Sequence, residues 1–183
     1  SILAACRDAM EKWVNAMQAA ADELPQGVED IPENENQHYL INTGFHFGDW
    51  LVPSVKNEAG FSDGPASSFL TMNVVDTALL AADADMFAET LEILGETEKA
   101  EEYKAYAQRV RRAFREELCT EDGKLKQEMQ GSYILALKYH MVPKEMEKGF
   151  AARLADMIAE NEYKPDAGFM SVPFILDVLC DYG

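Results

Sequence analysis

Basic residues are scarce in this sequence. Lys and Arg number 16 against 33 Asp and Glu, which leaves a formal charge of −17. So few cations cannot neutralise a run of phosphates, which argues against nucleic acid and against an anionic membrane surface as partners. Cysteine is scarce as well. Cys6, Cys119 and Cys180 lie far apart, are odd in number and belong to no CxxC or Cys/His cluster. That argues against a disulfide framework, and three free thiols point to a reducing compartment, the cytoplasm. Cys119 has no cationic neighbour motif to activate it. No apolar run is long enough to cross a membrane, and no signal peptide is recognisable. His38, His46 and His140 have acids nearby but form no i, i+4 His pair and no HExxH, so neither a metal nor another cofactor is expected. The chain starts at Ser1 in helical pattern and stops at Gly183 without a tail. That suggests a processed chain or an expressed fragment.

What is abundant is amphipathic helix. Residues 2–23 repeat apolar side chains at i, i+3, i+4 and i+7 through Leu3, Cys6, Met10, Trp13, Val14 and Met17. Pro25 and Gly27 end that pattern. Residues 67–94, with Ser67 and Ser68 as cap candidates and Gly95 as the stop, are apolar on nearly all sides over Phe69–Ala82. Residues 97–118, with Thr97 as cap, are one-sided again. The stretch 129–141 is apolar on most sides, 144–161 after Pro143 is one-sided, and 171–182 is nearly continuously apolar. One-sided and buried helices therefore alternate. An inner ring of helices wrapped by an outer ring needs that alternation, and the spacing predicts an all-α chain of about six helices forming part of a toroid of antiparallel hairpins. Residues 1–183 read as a single domain. An α-solenoid would alternate in the same way, but no repeat of fixed length is present.

Residues 24–66 break the pattern with four prolines and five glycines. A connector this long is expected to be functional. Short extended pieces are expected at 38–41 and 49–52. The loop contains Gly44-Phe45-His46-Phe47-Gly48-Asp49-Trp50-Leu51-Val52-Pro53, an apolar and aromatic run without helix or strand period. Antiparallel hairpins would put this loop at the same end as the connections 119–128 and 162–170. That end also collects the N-termini of the inner helices, whose free N–H groups favour polar ligands. A pocket there would gather Asp49, Trp50, Gln130, Gly168 and Phe169. An aromatic ring beside a carboxylate suits a sugar: the ring lies on the C–H face and the acid accepts from hydroxyls. The candidate substrate-binding residues are Asp49, Trp50, His46, Gln130 and Phe169. Asp76 and Asn73, polar residues inside a buried helix, must either be paired or line the inner surface. Glu58, Asp63 and Asp83 to Asp85 read as solvated or capping acids.

The chain resembles the middle of a bacterial α-L-rhamnosidase catalytic domain, an (α/α)6 barrel. Ala9-Met10-Glu11-Lys12-Trp13-Val14 is similar to that family's helix before the loop, and Phe47-Gly48-Asp49-Trp50-Leu51-Val52-Pro53 to its FGDWL-type loop. Ala88–Gly95 with Ala100, Tyr103 and Ala113-Phe114 resembles the helices that follow. Gln130 with Ala136-Leu137, and Gly168-Phe169 with Pro173 and Leu176, match later positions. The last motif departs from a TGFxGTP pattern at Ala167, Ser171 and Val172. The resemblance implies hydrolysis of terminal α-L-rhamnosides with inversion. It also implies an acid in a DERxGW-type motif and a base in a Trp-Glu motif, and neither motif occurs in these 183 residues. Inversion requires both carboxylates, set about 6.5–9.5 Å apart around a water. The chain is therefore expected to supply part of a sugar pocket, to hold no catalytic residue and to be inactive alone. Two other readings remain open: a non-catalytic helical scaffold or solenoid binding module, and a helical-toroid glycosidase for another sugar. An incomplete toroid would leave apolar helix faces uncovered, so self-association is expected.

Overall fold

A computed structural model describes residues 1–182. It contains six α-helices: α1 (Ile2–Ala21), α2 (Gly64–Leu94), α3 (Thr97–Leu118), α4 (Gln130–Lys138), α5 (Lys144–Glu160) and α6 (Ile175–Tyr182). Two 3₁₀ segments, Pro32–Tyr39 and Val172–Phe174, sit in the connections. Helices α2, α4 and α6 pack in series and form an inner arc, with α1 and α3 packed on α2, and α5 on α4 and α6. The all-α arc of hairpins read from the helical periodicities is the architecture observed.

The inner and outer helices differ in the way the periodicity demanded. In α4 every residue from Gln130 to Leu137 is buried. In α3 one stripe is buried, through Ala100, Tyr103, Ala107, Val110 and Phe114. The main core gathers α2, α3, α4 and α5 around Leu80, Ala81, Phe114, Tyr133, Ile134, Leu137, Phe150 and Leu154. A second core joins α1 to α2 and α3 through Val14, Phe87, Leu91 and Tyr103, with the Phe87 and Tyr103 rings meeting edge to face at 4.8 Å. Gly95 ends α2 with φ 84°, a left-handed cap that glycine adopts without strain.

Four local expectations require correction. Helix α2 starts at Gly64, capped by the Asp63 carboxylate, which accepts from Ala66 N, with Pro65 in the first turn. Ser67 and Ser68 are therefore inside the helix, and their hydroxyls serve the long loop instead. Thr97 is the first helical residue of α3 and the cap position belongs to Glu96, which makes no side-chain cap bond. Of the extended pieces expected at 38–41 and 49–52, the first becomes extended only at Leu40 (φ −122°, ψ 137°), because a 3₁₀ run continues to Tyr39, and 49–51 is a turn. Finally, α6 is less buried than its apolar sequence suggested. Only Ile175 and Val178 are buried within it and Leu176 is 73 % exposed, because α4 and α5 cover one side of it alone.

Candidate functional site

The long loop is anchored by hydroxyls on the first two turns of α2. Asp49 N donates to Thr71 Oγ1 (2.8 Å), Val52 N donates to Ser67 Oγ (3.0 Å), and Ser68 Oγ donates to His46 O. A loop at this depth must pair its backbone N–H and C=O groups; Thr71 and Ser67 accept from two of the N–H groups and Ser68 donates to a carbonyl. Gly48 (φ 53°) lies against the Thr71–Met72 backbone, where a Cβ would meet Met72 N at 2.8 Å. Leu51 also holds a positive φ of 63°, a costly state for a branched side chain, at the residue after Trp50.

Asp49 fastens this loop to the turn before α6. Its carboxylate is 0 % exposed and accepts four hydrogen bonds. Oδ2 takes Gly168 N (2.8 Å) and Ser171 Oγ (2.6 Å), and Oδ1 takes Met170 N (3.0 Å) and Ser171 N (3.1 Å). Phe169 N donates to Trp50 O at 2.9 Å in the same clasp. Two glycines make the approach possible. A Cβ on Gly168 would lie 2.6 Å from Trp50 O, and one on Gly131 of α4 would collide with Asp49 Oδ2. Gln130 makes the parallel link one strand of chain away: its Nε2 donates to Met157 O (3.2 Å) and its Oε1 accepts from Asp166 N (2.8 Å). The Asp166 carboxylate then accepts from Ser54 N (2.8 Å).

The structure thus brings together Asp49, Trp50, Gln130 and Phe169, and divides them by environment. Asp49 and Gln130 are buried and bonded to protein groups. The expectation that Asp49 accepts from sugar hydroxyls meets a carboxylate whose two oxygens already hold four protein donors. Trp50 is half-buried over Gly64, and Phe169 is 67 % exposed. Beside them the loop presents Phe45 and Phe47, and α2 presents Phe69, all exposed. These rings pack edge to face: Phe47–Trp50 at 5.3 Å, Phe45–Phe47 at 5.7 Å, Phe45–Phe69 at 5.8 Å and Phe45–Trp50 at 6.5 Å. The result is an open aromatic wall. His46 is half-buried behind it, with Nε2 3.1 Å from Thr43 O.

Beneath the loop, on α2, is Asp76. Its Oδ2 is inaccessible and has no hydrogen-bond partner. Burial pushes its carboxyl up to about 6, with His46 and the Gly48 amide pulling the other way. Among the described residues no group of three His, Cys, Asp or Glu side chains is placed to hold a metal ion, and no helix is long and apolar enough to cross a membrane. The Phe69 ring and the hydroxyls of Ser67, Ser68 and Thr71 were not picked out as site residues from the sequence. The signal for them was faint: small hydroxyl residues clustered at the start of a helix otherwise apolar on all sides.

The family model described as the bacterial α-L-rhamnosidase six-hairpin glycosidase domain matches residues 1–183. The chain belongs to this family. An α-L-rhamnosidase of Streptomyces avermitilis is 32 % identical over 144 residues, which are 79 % of this chain and 12 % of that protein. One from Formosa agariphila is 30 % identical over 178 residues, 96 % of this chain and 17 % of that protein. A crystal structure of the Streptomyces avermitilis α-L-rhamnosidase, complexed with L-rhamnose, superposes with a TM-score of 0.77 at 26 % identity and covers 100 % of this chain and 15 % of that one. The rhamnosidase-family chain described here thus spans less than a fifth of the length of these relatives.

Proposed function

We propose that the chain forms part of the catalytic domain of an α-L-rhamnosidase, a glycoside hydrolase acting on terminal α-L-rhamnosides with inversion, and that residues 1–183 act in it as one unit whose functional part is the loop at 24–66. The observation that carries the reading is the aromatic wall of Phe45, Phe47, Trp50 and Phe69, tied through the Asp49 clasp and the Phe169 N–Trp50 O bond to the turn that bears the exposed Phe169. A deoxyhexose has an apolar C–H face and a methyl group, and a wall of ring faces and edges suits both.

The roles follow from exposure. Trp50 and Phe169 contact the sugar, with His46 offering a polar group at the rim. Asp49 and Gln130 belong to the site by fixing it: one holds the Trp50 loop to the Phe169 turn, the other holds the start of α4 to Asp166. Rigid support of this kind keeps contacting side chains in place when the ligand arrives. The inverting acid and base lie in polypeptide other than these residues, so the segment binds and positions. The Streptomyces avermitilis relative, whose structure contains L-rhamnose, supports the substrate class.

The test is hydrolysis of a panel of aryl glycosides by the polypeptide encoded by the complete gene, beside its Trp50→Ala variant and the 183-residue chain alone. Cleavage of the α-L-rhamnoside, strongly reduced by Trp50→Ala and absent from the chain alone, supports the reading. Cleavage of a different glycoside keeps the fold and removes the substrate. No cleavage of any member removes the enzyme reading and leaves a binding scaffold.

A further inference from the structure

We propose that Asn73 and Asp76 of α2 form the polar floor of the sugar site below the aromatic wall, and that they bond hydroxyls of the sugar whose apolar face lies on the rings. The inference rests on the reading of the wall as a sugar site. It adds the groups that let the wall select a polyol over an apolar molecule of the same shape.

A sugar requires two kinds of surface. Rings serve its C–H groups, and its hydroxyls require side chains that donate and accept. The wall supplies only the first kind. Asp49 and Gln130 are bonded to protein groups and cannot supply the second. Helix α2 can. Phe69, Asn73 and Asp76 are spaced i, i+4 and i+7, so they share one face and each neighbours the next. That face is left open by the other helices. Phe69 is 64 % exposed, Asn73 is exposed and Asp76 is half-buried, whereas Val74, Val75, Thr77 and Ala78 beside them are buried. Phe69 is itself a ring of the wall, through its packing with Phe45. The foot of the face meets the same loop again, because the charge of Asp76 is stabilised by His46 and by the Gly48 amide. An amide and a carboxylate therefore lie along the helix below the rings.

The state of Asp76 distinguishes this face from ordinary solvated surface. An aspartate on an open helix face has both oxygens in water. Here Oδ2 is inaccessible and unpaired, and burial raises the carboxyl. No Lys or Arg is among the groups that stabilise its charge. An asparagine would fill the same space without that cost. A side chain that destabilises the fold, at the base of a candidate site, points to a ligand and not to packing. The ligand does not reach Oδ2. It meets the outward edge of the carboxylate, on the Oδ1 side, which the half-buried side chain leaves open. An ionised, partly desolvated carboxylate is a strong acceptor for a sugar hydroxyl. The Asn73 amide, one turn nearer Phe69, can both donate and accept.

The experiment is calorimetric titration of the polypeptide encoded by the complete gene with L-rhamnose, beside its Asn73→Ala, Asp76→Asn and Trp50→Ala variants. Urea unfolding of the 183-residue chain with the same substitutions gives stability. Asn73→Ala is expected to weaken binding about three- to tenfold, the effect of one hydrogen bond, and to leave the unfolding midpoint unchanged. Asp76→Asn is expected to weaken binding about tenfold or more, because a charged acceptor is lost, while its midpoint at neutral pH rises. These opposite signs separate a binding role from a structural one. Affinity and stability falling together in Asp76→Asn would overturn the proposal. So would either variant binding as tightly as the wild type, and if Trp50→Ala then still loses binding, the proposed function stands without this floor. A wild type that takes up no L-rhamnose would overturn both.

Discussion

Asp49→Asn is the substitution that most sharply separates the two roles this residue was given. If Asp49 contacted a sugar, the change would spare the folded state and weaken the ligand. The clasp geometry predicts the reverse order of effects. An asparagine oriented to keep Oδ1 on Met170 N and Ser171 N would turn its NH₂ toward Gly168 N, at a site where Asp49 Oδ2 now accepts at 2.8 Å. The Ser171 hydroxyl can rotate and accept from that NH₂, but the Gly168 amide cannot, and it is left unpaired. An unpaired buried N–H costs about 1–3 kcal/mol, and the surviving bonds lose the strengthening that a charged acceptor gives them. A total near 3 kcal/mol is expected, a large fraction of the ~5–15 kcal/mol that holds a domain together. Asp49→Ala would orphan three amides together and is expected not to fold. Urea unfolding of the chain gives the stability change, and hydrogen exchange at Gly168, Met170 and Ser171 localises it to the clasp. Gly131→Ala provides an independent approach to the same atoms. Its Cβ would collide with Asp49 Oδ2, so a loss of about 3 kcal/mol or more is expected from overpacking and displaced hydrogen bonds. An Asp49→Asn chain within about 0.5 kcal/mol of the wild type, the range of an ordinary surface change, would refute the reasoning.

Further expectations concern titration and thiol chemistry. The Asp76 carboxyl is raised from 3.8 to about 6 by burial. The folded state therefore binds more protons than the unfolded state between these values, and stability falls as pH rises through that window. Asp76→Asn should flatten that slope and raise the urea midpoint at neutral pH, and a slope unchanged in the variant would remove Asp76 as its source. Among the thiols, Cys6 and Cys180 are exposed, and burial pushes the Cys119 thiol up to about 11. Thiol titration of the native chain should show two fast equivalents and a third released only on unfolding. Three fast equivalents would show that the isolated antiparallel backbone bridge between Cys119 and Leu125, which closes the 119–125 turn, opens readily.

The helices were legible because each carries its own signal. The stripe Ala100, Tyr103, Ala107, Val110 and Phe114 marked α3 from period alone, and Gly95 marked the end of α2. Asp63-Gly64-Pro65 is an equally readable start for α2, and the serines that follow drew attention away from it. Burial of α6 was overestimated because continuous apolarity reports what a helix is suited to pack against, while its exposure depends on which neighbours are there. The loop at 44–53 was recognisable as the unusual stretch from its aromatics and glycines. The role of Asp49 was not, because its partners lie 119 to 122 residues away and three of the four bonds come from backbone amides, which have no residue signature.

The central claim is that the wall around Trp50 is a sugar site, and Trp50 itself can report on it. The chain has two tryptophans, and Trp13 lies away from the wall in the groove between α1 and α2, hydrogen-bonded to Asp83. In a Trp13→Phe background Trp50 is the sole indole fluorophore. Titration with L-rhamnose is predicted to change its emission saturably, and the response should disappear in a Phe169→Ala variant that removes the exposed ring bonded through its backbone to Trp50. Emission that stays constant over the titration in the folded protein would contradict the account.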